Sequence, residues 1–136
     1  VLSREEVIEQ VHAALKDYWG GAGISSSSLL ELVVVRNQLA DNDNNPVKAL
    51  RSVMQMAIDN QRPDGEPSMQ DPEWTLYNIL QQRFLNKRKV RETARMLYIS
   101  EANLYRKQNA AIAAVADALI TMEKVALADQ KQAISE

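Results

Sequence analysis

The stretch VRETARMLYISEANLYRK, Val90–Lys107, decides how the chain is read. Its residues divide into two short helices around a tight turn at Tyr98-Ile99. Ser100 stands where its hydroxyl can accept an orphan backbone N–H in the first turn of the second helix. Val90, Ala94, Leu97, Ile99 and Leu104 form an apolar set that packs the two helices together, with the small Ala94 at their closest approach. At about 100° of rotation per residue, and with Leu104 facing inward, Ala102, Asn103, Arg106 and Asn109 fall on the outward side.

Two helices so arranged have the layout of a helix-turn-helix, whose second helix enters the major groove of DNA. At these residues the sequence resembles the bacterial helix-turn-helix family, most closely the sigma-factor region 4 type, over roughly residues 73 to 125. That family has an alanine in the first helix, a small residue and an aliphatic at the turn, a serine cap, and an aliphatic four residues later. Here those positions are Ala94, Tyr98, Ile99, Ser100 and Leu104. Two positions depart from the pattern. Tyr98 stands where the family has glycine, so the turn is made differently or the tyrosine accepts a strained backbone. The aliphatic found late in the recognition helix falls near Lys107 and Gln108, neither of them apolar. The resemblance implies a DNA-binding module of a bacterial transcriptional regulator, with residues 101–110 in the major groove of duplex DNA.

Arginine can bond guanine bidentately and asparagine can do the same to adenine. Ala102, Asn103, Arg106 and Asn109 are therefore the base-contact candidates. Lys87, Arg88, Lys89, Arg91, Arg95 and Lys107 are the phosphate-contact candidates, which position a helix without reading sequence. Glu101 can accept from cytosine or repel phosphate.

The charge distribution points the same way. Net charge is −2, but Arg83 to Lys107 holds eight basic residues against Glu92 and Glu101, so this segment is +6 and the remainder −8. Such segregation suits a phosphate-facing patch on an otherwise acidic protein. The plainer reading is a solvated NKRK loop with arginines on exposed faces.

Composition excludes several other classes. At 136 residues the chain is one domain, or two small helical subdomains sharing a core. The absence of cysteine removes disulfides, thiolate nucleophiles and cysteine metal sites together. His12 is the only histidine, and a lone histidine beside an apolar stripe is more often structural than catalytic. The glycines at Gly20, Gly21 and Gly23 lack the Gly-Lys-Ser/Thr of a phosphate loop. No catalytic set, cofactor or metal site is expected. No apolar run approaches the roughly 20 residues of a bilayer span, and no signal peptide is visible at Val1, so a cytoplasmic protein without membrane contact is the simplest expectation.

Periodicity predicts an all-α bundle of about six helices. Ser3 and Glu6 form a capping box for a first helix with the stripe Val7, Ile8, Val11, Leu15 and Tyr18. Ser28, with Glu31 three residues on, caps a second helix over about Leu29–Ala40. Its Leu-Val-Val-Val run also suits a buried strand, but no partner strand exists, and a buried helix is preferred. Asn45-Pro46 starts a third helix. Residues 62–71 carry the prolines and glycine of a linker between subdomains at 1–61 and 72–127. Asp71-Pro72 restarts a helix apolar on more than one face, hence central. Trp74 and Tyr77 on it suit core packing better than base stacking. The last helix runs for about 25 residues from Glu101, since no proline or glycine breaks it. Ile112, Val115, Leu119 and Met122 on that helix pack onto the N-terminal helices or, alternatively, form a homodimer seam. Residues 128–136 are expected to fray.

The competing functional class is a helical docking module of a multidomain signalling protein, without catalysis, binding a protein partner or a fused regulatory domain.

Overall fold

Side-chain caps set several of the helix starts. The computed structural model describes residues 2–135, and among these the chain is all-α, as its periodicity predicts. Ser3 and Glu6 form the capping box in both directions and open α1 (Arg4–Lys16). Val7, Val11, Ala14 and Leu15 are its buried stripe. Past Gly20 and Gly21 the short α2 (Ala22–Ser25) folds back onto α1. Gly23 makes that approach; a Cβ there would lie 2.3 Å from the Ala13 carbonyl oxygen.

The region from Leu29 to Ala40 is helical, but it is not the single helix its apolar run suggests. A 3₁₀ turn (Ser28–Glu31) is followed by extended Leu32 (φ −62°, ψ 141°) and by α3 (Val33–Arg36). The break has a distant cause. The Glu123 carboxylate, brought by the last helix, accepts the backbone N–H groups of Val33 at 3.0 Å and Val34 at 2.9 Å. A carboxylate at a helix N-terminus satisfies donors that have no partner of their own and favours the dipole. The serine cap also shifts by one residue. Ser27 Oγ accepts from the Leu29 N–H, while the Ser28 N–H donates to Gln10 Oε1.

Asn45 Oδ1 accepts from Val47 and Lys48 to open α4 (Pro46–Asp59), whose Leu50, Val53, Met54, Ala57 and Ile58 are buried. After the non-helical stretch 62–71, Asp71 caps a 3₁₀ turn (Pro72–Trp74) that runs into α5 (Thr75–Ile79). This helix then widens into a π-helix over Leu80–Leu85. α6 (Val90–Leu97) and α7 (Glu101–Ser135) complete the chain.

At 35 residues, roughly 50 Å long, α7 is the spine. It outruns the expected length, and residues 128–135 are helical where fraying is expected, because nothing in them breaks a helix. Glu136 lies outside the described residues. The main core joins α1, α3 and α4 to Leu80, Phe84, Ala111, Ile112, Val115 and Leu119, so it takes side chains from both sides of the 62–71 stretch. Ile112, Val115 and Leu119 are thus buried within the chain and cannot form a seam with a second copy; Met122 is half-buried. Arg4 and Asp117 pair through two hydrogen bonds, at 2.8 and 3.1 Å, and tie α1 to the outer face of α7.

Candidate nucleic-acid interface

A second, smaller cluster holds α6 against the first turns of α7. Its buried members are Ile79, Ala94, Leu97 and Leu104, with Met69, Val90 and Ile99 packed against them. Five of these are the apolar set named from the sequence. Ile79 and Met69 are additions from α5 and the stretch preceding it, brought in by tertiary packing.

The turn between the two helices answers the question raised by Tyr98. The Ile99 N–H donates to the Ala94 carbonyl at 3.0 Å, and the Tyr98 N–H donates to Arg95 at 3.2 Å. This paired closure requires a left-handed residue between the helix and Ile99. Tyr98 supplies it, at φ 55° and ψ 45°, and the residue is 82% exposed. The tyrosine therefore holds a glycine's conformation, at a cost in backbone strain. Tyr98→Gly is expected to stabilise the fold by ~1 kcal/mol, since the left-handed penalty outweighs the added chain entropy. Thermal unfolding checks this, and a lower Tm would contradict the strain.

Ser100 Oγ accepts from the Asn103 N–H at 3.0 Å and caps α7. Beyond it, Ala102, Arg106 and Asn109 are exposed. Asn103 is half-buried, and its Oδ1 accepts a hydrogen bond from Arg106. Two of the four base-contact candidates therefore engage each other in the free protein. Tyr105, about half exposed beside them, is not among the candidates the sequence pattern points to.

Among the phosphate-contact candidates, Lys87, Arg88, Lys89, Arg91 and Arg95 are exposed and Lys107 is half-buried. Arg88 is partly engaged, donating to Gln82 Oε1 at 2.8 Å and lying 3.7 Å from Glu92. Among the described residues the other five have no ion-pair partner. Arg91 and Arg95 line an open depression together with Ala94, Tyr98, Ile99, Ser100 and Glu101.

Arg83, counted with the basic stretch in the sequence, faces inward. Its Nε donates to Gln108 Oε1 at 2.9 Å. Gln108 is only 5% exposed, which accounts for a polar residue where the family pattern has an aliphatic. The spacing carried that signal: Gln108 lies four residues after Leu104, on the same inward face. Trp74 is buried edge-on to Tyr77 at 5.8 Å, so it presents no face to a base.

His12 is half-buried and edge-on to Phe84, with ring centroids 6.4 Å apart. Burial, then Lys16 and Arg83, hold its imidazole below the usual histidine range. The unfolded chain therefore binds the proton more readily, so stability is full above about pH 6.5 and falls as pH drops toward the folded value. His12→Gln is expected to flatten the Tm profile between pH 7 and pH 5. An unchanged slope would assign the pH dependence elsewhere.

Among the described residues, no three His, Cys, Asp or Glu side chains are grouped to hold a metal ion. Among the same residues no helix is long and apolar enough to cross a membrane. Comparisons with protein-family models, with curated proteins and with solved structures find no match to this chain.

Proposed function

We propose that α6, the Tyr98 turn and the start of α7 are a helix-turn-helix that binds duplex DNA, with residues 101–110 as the recognition helix. The observation that carries this reading is a coincidence of charge and shape. Exposed cations that have no ion-pair partner among the described residues (Lys87, Lys89, Arg91 and Arg95) accompany a serine-capped helix whose outward face bears Arg106 and Asn109. Exposed cations beside a helix with an outward polar face match a phosphate backbone on either side of a groove. The resemblance of the same residues to sigma-factor region 4 supports a place in bacterial transcriptional control, in the cytoplasm. The role is non-catalytic and uses no cofactor.

Arg106→Ala tests the base-reading step. On a duplex selected for tight binding, it is expected to cost ~1–3 kcal/mol and to relax preference at one base pair. Equal loss on every sequence would remove the base-reading role and leave a phosphate contact.

Protein docking is the second reading, favoured by a different observation. Beyond Ala126 the last turns of α7 project from the core and expose Leu127 and Ile134. Exposed aliphatics on a projecting helix suit a helical partner. If a second copy binds there, the paired recognition helices would call for half-sites about one helical turn of DNA apart.

A further inference from the structure

We infer that Arg83 is a positioning residue that fixes the basic loop, residues 86–89, against the recognition helix; the inference rests on the DNA reading above. The loop does not hold its own shape. Lys87 is left-handed at φ 53°, a conformation lysine rarely adopts, and the loop lies between the end of the π-helix and the start of α6. Its backbone is tied to the π-helix: the Asn86 N–H donates to Gln81 and the Arg88 N–H to Gln82, each at 2.8 Å. Those bonds stay within one neighbourhood of the chain. Arg83 does something they cannot. Its Nη1 donates to the Arg88 carbonyl at 2.6 Å while its Nε donates to buried Gln108 on α7. One rigid guanidinium thus links the loop that carries Lys87 and Lys89 to the helix that carries Arg106 and Asn109.

The consequence for DNA is geometric. Phosphate contacts set register only when their cations stand at a fixed place relative to the helix in the groove. A planar fork can serve two acceptors at once, whereas lysine offers a single flexible ammonium. Arg83→Lys keeps the charge and loses the bridge.

The experiment compares wild type with Arg83→Lys by amide hydrogen exchange and by binding to random-sequence duplex DNA over a salt series. Faster exchange of the Arg88 amide is expected, with helicity retained. The slope of log affinity against log salt should become shallower by about 2, because Lys87 and Lys89 would no longer meet their phosphates. Adding Lys87→Ala and Lys89→Ala should then change DNA binding little in the Arg83→Lys background, though strongly in wild type. Unchanged exchange overturns the positioning role. Faster exchange with fully additive losses on DNA overturns its link to binding. If wild type binds no DNA, the DNA reading fails, and the inference keeps only its conformational part, decided by the exchange data alone.

Discussion

Leu104→Ala is expected to lower the stability of the fold by ~2–5 kcal/mol and to abolish DNA binding. Leu104 has no exposed surface and packs among Ile79, Ala94 and Leu97, where α6 meets the first turns of α7. This second cluster is small, with four buried members, so one deleted isopropyl group removes a large share of it. The cavity cannot close easily. Ser100 caps α7 just before Leu104, and Gln108 is bonded just after it, so the helix is held on both sides of the gap. The middle of α7 stays packed on α1 and α4 through Ile112, Val115 and Leu119, so the loss should concentrate at the N-terminal end of the helix. Urea unfolding measures the total, and amide exchange locates it. A cost under ~1 kcal/mol, or exchange that rises evenly along α7, would contradict this division of the core.

Neutralising Lys87, Lys89, Arg91 and Arg95 together is expected to change stability very little and DNA affinity greatly. All four are exposed and, among the described residues, without ion-pair partners, so each removal should stay within about ±0.5 kcal/mol of the wild-type stability. If each meets one phosphate, the salt slope should become shallower by roughly 3.6, because each neutralised phosphate contributes about 0.9. Between 50 and 200 mM salt, those four cations alone would weaken wild-type binding by roughly a hundredfold. Restoring any one cation should recover about a quarter of the slope. A slope unchanged by all four substitutions would move the phosphate surface elsewhere on the molecule.

What the sequence reveals about this fold depends on the range of each interaction. Ser3 with Glu6, Asn45 with Pro46, and Ser100 act within one helical turn, and their caps are legible as short patterns. Burial of Val7, Val11 and Leu15 follows from spacing alone. The break at Leu32 does not, because the residue responsible is Glu123, about 90 positions away. The π-helix over Leu80–Leu85 has no local signature either. It comes with the packing of Leu80 and Phe84 into the main core and the turning of Arg83 toward Gln108. At the candidate site, the outward set Ala102, Arg106 and Asn109 is legible from helical rotation. The mutual bond of Asn103 and Arg106 is not, since it depends on side-chain rotamers. Nor does counting charges along the stretch reveal that Arg83 faces inward while Arg91 and Arg95 face out.

Fluorescence anisotropy of wild type with a labelled random-sequence duplex, first at low and then at physiological salt, tests whether this surface binds duplex DNA. Micromolar binding that weakens steeply as salt rises is expected from the exposed cations beside residues 101–110. No binding even at low salt would contradict the DNA reading and turn attention to α7 and its exposed Leu127 and Ile134 as a docking surface.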